Sequence, residues 1–403
     1  MPSSVPTTIT EVYSRSSLAA RLAILLAVTA LGACDVATVP TETRSPVAAG
    51  LSRSADNNTN GDDEISGRSG KLVIMTYNIY QGTELQNSVG SATPGGFILG
   101  ATQDYAMMRQ TNFAERAQSL AAEIDAARPD LVGMQEVALW RTGPTTAAPD
   151  VTTRAVIVDQ DFLAILLSAL RARGLRYEVV SSVDNLDVQS PTVVPGGYRS
   201  VRLTDRDVII ARGTRHEGGE DDRALTLSNA GSANFLTNLQ LPTAVGPVAV
   251  REGWASVDVA TRAGTVRFVT THLDAFAPPI RLAQAREILA GPANTSLPVV
   301  LAGDLNTTDV TDTYSALQGA GFGDVWARLR PSDPGFTCCQ KLPEVNNPVS
   351  SLYERVDLMM VRGAVTARTI RRAGATESSL TQSGLWPSDH AGLVAEFTVR
   401  KAH

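Results

Sequence analysis

At residue 71 the chain changes character. Residues 35–70 are rich in Thr, Pro, Ser, Ala and Asn, hold almost no large apolar residues and show no period, the pattern of a solvated tether. From residue 71 onward short apolar runs alternate with longer amphipathic stretches. Runs of strand length occupy residues 72–77 (LVIMTY), 131–134, 177–181, 208–211, 255–260, 266–270, 298–302, 356–361 and 392–399. Helical spacing occupies 112–127, 161–173 and 280–290. In the first of these helices Phe113, Ala117, Leu120, Ala121 and Ile124 share one face, Asn112 stands as N-cap and Pro129 stops the chain. The irregular stretches 85–100, 141–156, 182–199 and 212–233 read as surface loops. No repeat or second linker interrupts the pattern, so residues 71–399 form a single α/β domain.

The amino end reads as an export signal. Residues 22–33 (LAILLAVTALGA) follow Arg15 and Arg21, and are too short for the roughly 20 residues a membrane span needs. Leu31-Gly32-Ala33-Cys34 resembles a bacterial lipobox. The expectation is a signal peptide over 1–33, lipid on Cys34, a tether over 34–70, and a domain held on the cell envelope facing periplasm or exterior. Asp35 resembles the residue that retains some lipoproteins in the inner membrane. Of the remaining cysteines, Cys338 and Cys339 are neighbours, below the usual Cα separation for a disulfide, and are expected as two free buried thiols.

Composition narrows the function. Of the 35 basic residues only Lys71, Lys341 and Lys401 are lysine, and no phosphate-loop motif surrounds any of them. A phosphate-loop kinase or ATPase is excluded. The net charge of −6 also disfavours gripping duplex nucleic acid by a broad basic surface.

Polar residues gather where the strands end. Asn78 follows LVIMTY, Glu136 follows LVGMQ, His272 follows VRFVTT, and Asp304 with Asn306 follows PVVLAG. Asp357 instead begins VDLMMV, and Ser388-Asp389-His390 precedes GLVAEFTV. If these groups share one rim, some strands arrive there and others leave, so the sheet is mixed or antiparallel, and a doubly wound parallel sheet fits poorly. Singly, each residue could be a turn former, an ion-pair partner or a cap. Jointly they include two of only four histidines, while His216 and His403 stand in no motif.

Tyr77-Asn78-Ile79, Gln135-Glu136-Val137, Thr271-His272-Leu273-Asp274, Gly303-Asp304-Leu305-Asn306, Arg355-Val356-Asp357 and Ser388-Asp389-His390 resemble the ordered motifs of the endonuclease/exonuclease/phosphatase (deoxyribonuclease I-like) superfamily. The resemblance implies a four-layer α/β sandwich with two central mixed β-sheets flanked by helices, and divalent-metal hydrolysis of a phosphoester. It implies Glu136 as principal metal ligand, Asn78 in support and Asp389 completing the site. The residue types agree: carboxylate and amide oxygens suit Mg²⁺ or Mn²⁺, and a metal would supply positive charge for the phosphoryl oxygens. Asp357 and His390 match a carboxylate–imidazole pair; either His390 or Asp304 can serve as the base. An extended 304–306 segment would set Asn306 beside Asp304, and His272 fits a second phosphate contact or proton donor.

Departures from subfamilies bear on substrate. Leu301-Ala302 stands where inositol polyphosphate 5-phosphatases carry Trp, and Tyr353-Glu354-Arg355-Val356-Asp357 replaces their P-x-W-C-D-R. The acidic chain lacks the basic DNA clamp of abasic-site endonucleases, and no aromatic membrane-insertion hairpin of the sphingomyelinase kind is visible. Arg206-Asp207 stands about where some relatives place a phosphate-side residue, and 336–340 (FTCCQ) reads as a turn. The expectation is a monomeric metal-dependent nuclease or phosphodiesterase. The alternatives are a sphingomyelinase-like or other phospholipid-headgroup hydrolase, and, in another class, an inactive surface binding protein on the same fold.

Overall fold

The computed structural model describes residues 70–213 and 225–400, which belong to one compact unit. Cys34, the tether, His216 and His403 lie outside the described residues. The chain begins with β1 (Lys71–Asn78), α1 (Gln86–Val89), α2 (Pro94–Gln110) and α3 (Phe113–Ala127). Next come β2 (Leu131–Gln135), β3 (Leu139–Thr146), β4 (Ile157–Asp161), α4 (Phe162–Ala172), β5 (Tyr177–Val194) and β6 (Gly197–Arg212). The strands β7 (Thr226–Asn234), β8 (Leu239–Thr243), β9 (Gly246–Val250), β10 (Gly253–Thr261) and β11 (Gly264–His272) lead to α5 (Pro278–Ala290). The last third holds β12 (Val299–Asp304), α6 (Asp312–Gly319), β13 (Gly323–Asp324) and α7 (Val325–Leu329). It closes with β14 (Asp357–Arg362), β15 (Val365–Ala373) and β16 (Gly392–Val399).

Two large mixed sheets result. The first runs β15-β16-β1-β2-β6-β3-β4 with β5 paired along β6, and the second runs β13-β14-β12-β11-β10-β7. In each, one parallel pair, β1/β2 or β11/β12, sits among antiparallel neighbours.

Strand alternation sorts the apolar residues into layers. Leu72 and Ile74 of β1, Leu131 of β2 and Ile209 of β6 meet Val257, Phe268, Val300 and Met359 of the second sheet in one buried cluster. The alternate residues Met75, Tyr77, Val132 and Met134 pack against Phe113, Leu120 and Ile124 of α3 and Phe162 and Leu166 of α4. On the other outer face Val299, Leu301, Leu358 and Met360 meet Ile288 of α5 and Leu317 of α6. The order helix, sheet, sheet, helix is the expected four-layer sandwich.

Several expected loops are regular structure. The 85–100 stretch contains α1 and most of the first half of α2, whose sequence has no apolar stripe and carries Gly95, Gly96 and Gly100. A polar anchor holds it: buried Asp104 accepts from Asn87 Nδ2 at 2.8 Å, Ser88 N at 2.9 Å and Ser88 Oγ at 2.6 Å. Residues 182–199 form the arms of the long β5/β6 hairpin, and β7 supplies an edge strand from the last expected loop. Asn112 holds the N-cap position of α3 in a left-handed conformation, and its amide donates to Glu115 at 3.1 Å instead of its oxygen capping the helix.

Close approach of the sheets explains Gly133 in the otherwise bulky β2. A Cβ there would lie 2.4 Å from Thr270 Oγ1 and 2.9 Å from Phe268 Cζ. Gly133→Ala should therefore lower stability by about 1–3 kcal/mol, as overpacking does. An unchanged urea unfolding midpoint would contradict this close contact.

Candidate active site

The inner-face alternation does not stop where the apolar residues do. Asn78 continues the row of Leu72 and Ile74, Asp304 that of Val300 and Ala302, and His272 that of Val266 and Phe268; Asp357 precedes Met359 on the same face of β14. Strand pairing brings them level. Asn78 lies opposite Gln135, His272 opposite Asp304, and Asp304 opposite Asp357. Glu136 leaves the alternation through a left-handed turn (φ 57°) that carries its side chain toward Asn78. Gly303, with φ 156°, has Thr271 O only 2.0 Å from where a Cβ would sit, so the backbone reaches Asp304 along a path closed to other residues.

The predicted groups converge. Asn78 Nδ2 donates to Glu136 Oε1 at 2.8 Å and to Asp304 Oδ2 at 3.1 Å, while its Oδ1 accepts from Tyr80 N at 3.0 Å. Gln81 N donates to Glu136 Oε2 at 2.8 Å, so both oxygens of Glu136 are oriented. Asp304 Oδ2 lies between two imidazoles, 3.5 Å from His272 Nε2 and 3.8 Å from His390 Nε2. His390 Nδ1 is 2.7 Å from Asp357 Oδ2. Ser388 Oγ donates to Asn78 O at 2.7 Å and accepts from His390 N at 3.1 Å, joining the segment before β16 to the end of β1. Asn306 is not in an extended segment: its φ is 46°, its N–H donates to Asp304 Oδ1 at 2.9 Å and its amide to Leu273 O at 2.8 Å.

Burial makes the electrostatics strong. Burial opposes the charge on His390, but Asp357, Asp389 and Asp304 outweigh it and raise its pKa well above the usual value. Burial likewise opposes the charge on His272, yet Glu252, Asp304, Glu136 and Asp207 lift it to about 10. Burial works against ionised Asp304, but the two histidines hold it below the ordinary carboxylate range. Asp389 has the opposite fate. Burial pushes it well up, with Glu136 and Glu84 adding to the push against His390 and Arg116.

Sequence reading missed the supports. Arg116, fully buried on the apolar face of α3, donates to the carbonyls of Thr111 (2.9 Å), Ile79 (2.8 Å), Pro387 (2.9 Å) and Tyr80 (3.0 Å). It thus ties the segment after Asn78 and the segment before Asp389 to one helix, and an arginine inside a run of Phe113, Ala117 and Leu120 was the available signal. The 336–340 segment also does more than turn. Thr337 Oγ1 accepts from Val356 N and Asp357 N at 3.2 and 3.1 Å, Thr337 O from Ala391 N at 2.7 Å, and Gln340 N donates to Asp389 O at 2.6 Å. Cys338 and Cys339 within it are joined as a disulfide across a cis peptide, not free thiols as expected, with their Cα atoms 3.1 Å apart. Arg206 turns away from the site, donating to Val137 O at 2.8 Å and pairing with Asp161 at 2.6 Å, whereas Asp207 Oδ2 accepts from His272 N at 3.0 Å.

The sequence profile of the endonuclease/exonuclease/phosphatase family matches residues 75–390. No curated protein matches the sequence. Among solved structures, a D. rerio TDP2 humanized by 14 mutations is 18% identical, covers 82% of this chain and 100% of its own, and has a TM-score of 0.48. An endonuclease/exonuclease/phosphatase from Beutenbergia cavernae is 21% identical, covering 82% of this chain and 72% of its own at a TM-score of 0.46. One from Bacteroides vulgatus is 15% identical, covering 82% and 99% at 0.48. With its matched motifs gathered on one rim of a four-layer sandwich, the chain belongs to the endonuclease/exonuclease/phosphatase family and is a hydrolase acting on phosphoester bonds.

Proposed function

We propose that the protein is a divalent-metal-dependent phosphodiesterase or nuclease working by in-line attack of water. The observation that carries this reading is Asp304 set between His272 and His390, with His390 oriented by Asp357. Asp304 is an ionised carboxylate with one oxygen held by Asn306 N–H and the other facing both imidazoles. It accepts the proton of the attacking water as the water oxygen bonds to phosphorus. His390, held as a cation by Asp357, stabilises charge on the phosphoryl oxygens. As the ester bond to the leaving oxygen breaks, His272 gives that oxygen its Nε2 proton.

The donor set fits a hard divalent cation, Mg²⁺ or Mn²⁺. Glu136 presents a carboxylate oriented by Asn78 and Gln81, and Asp389 is buried under the repulsion of Glu136 and Glu84, an excess of negative charge that such an ion relieves. Glu136 and Asp389 would hold it, with Asn78 orienting Glu136. When bound, it supplies Lewis-acid charge to the phosphoryl group. The substrate is a nucleic acid strand or a small phosphodiester, and not a phospholipid headgroup, for which the sequence carries no aromatic insertion hairpin. Export and anchoring through Cys34, supported by the 22–34 segment, complete the proposal.

Two outcomes test it. The purified protein should hydrolyse bis-(p-nitrophenyl) phosphate with Mg²⁺ or Mn²⁺ and stop when a chelator is added. Absence of metal-dependent turnover would overturn the metal-dependent reading. His390→Ala should lower turnover by about 10²–10⁴-fold, the usual contribution of such a group, with little change in melting temperature. Near wild-type turnover in that variant would remove His390 from the mechanism.

A further inference from the structure

Beyond the Nδ1 side of His272 lies a second group of carboxylates that hydrolysis does not use. Asp205 and Asp207 stand two apart on β6, and Glu252 immediately precedes β10. All are buried, at 5%, 0% and 8% exposure, and His272 is 8% exposed. Oxygen or nitrogen atoms of Asp205, Asp207 and His272 lie within 4.8 Å of one another, and Glu252 Oε2 is 4.0 Å from His272 Nδ1.

Acidic residues alone do not make a site, but here the polar atoms are orphaned. Asp205 Oδ1, Asp207 Oδ1, Glu252 Oε2 and His272 Nδ1 are buried without a hydrogen-bond partner. Groups of this kind in a folded interior are ordinarily satisfied. The second oxygens of the two aspartates have partners: Asp207 Oδ2 takes His272 N at 3.0 Å, and Asp205 Oδ2 takes Asn185 Nδ2 at 3.4 Å. A proton on one carboxyl would satisfy one oxygen, whereas a divalent ion satisfies all four atoms together.

We propose that Asp205, Asp207, Glu252 and His272 Nδ1 form a second divalent-cation site, separate from that at Glu136 and Asp389. An imidazole nitrogen among carboxylates favours Mn²⁺ or Zn²⁺ over Mg²⁺ or Ca²⁺. Metal–ligand distances of roughly 2.0–2.2 Å require donors up to roughly 4 Å apart, so a closure of less than about 1 Å brings Asp205, Asp207 and His272 into one shell, with Glu252 entering from beside His272 Nδ1. Ligation at Nδ1 leaves the His272 proton on Nε2, the atom 3.5 Å from Asp304 Oδ2. The ion would therefore be a positioning device for His272, not a participant at the phosphoryl group. The inference goes beyond the hydrolytic reading and does not depend on it, since its test reads binding.

The test uses the purified Glu136→Gln variant, in which the first site is weakened. Equilibrium dialysis followed by elemental analysis should find one Mn²⁺ or Zn²⁺ retained per chain, and adding Asp205→Asn with Glu252→Gln should raise its dissociation constant at least tenfold. X-ray absorption of the zinc-loaded Glu136→Gln protein should show a single imidazole among oxygen donors, a readout that needs no further substitution. Failure to retain either ion, a zinc shell without imidazole, or unchanged affinity in a triple variant of native circular dichroism would overturn the site.

Discussion

The structure depends on two sheets pressed face to face by inner rows of apolar side chains that share a period of two. Each buried side chain in those rows contributes about 1.5–3 kcal/mol, and the fit is close enough to demand Gly133 opposite Thr270. Register is thereby fixed, because a slip of one residue would turn every inner side chain outward. The same constraint decides where the chemistry sits. Asn78, His272, Asp304 and Asp357 are the last or first inner positions of their strands, so the packing that locks the sheets also locks these groups at one rim.

Burial of so many carboxylates raises a problem of charge. Asp304, Asp357, Asp389, Asp205, Asp207 and Glu252 are all enclosed, and desolvation is the largest influence on the ionisation of each. The chain answers with two histidines and with Arg116, whose own pKa burial lowers to about 10 while it satisfies four carbonyls. Asp357 shows the limit of internal compensation: burial raises its pKa against His390, and its Oδ1 has no partner.

Much of this was legible in the sequence. The strands, α3 and α4 follow from apolar runs and helical spacing, while the two mixed sheets and the convergence of Asn78, Glu136, His272, Asp304, Asp357 and His390 followed from the resemblance of the ordered motifs to the family. What escaped has physical causes. The helix α2 is held by hydrogen bonds to Asp104 and not by an apolar stripe, so periodicity is silent about it. In residues 182–199 of the β5/β6 hairpin, Asp, Asn, Ser, Pro and Gly interrupt the apolar residues, so the run imitates a loop. Arg116 and Thr337 act on backbone carbonyls and amides far away in sequence, a role that no local motif records.

The proposed function turns on a divalent-cation site at Glu136 and Asp389, beside the Asp304 that the inner rows set at the rim. The most direct measurement is an anomalous difference map from crystals of the protein soaked in Mn²⁺. The account predicts a peak within coordination distance of the Glu136 carboxylate and on the side of Asp389. A map in which Mn²⁺ binds but leaves no peak at Glu136 would contradict it.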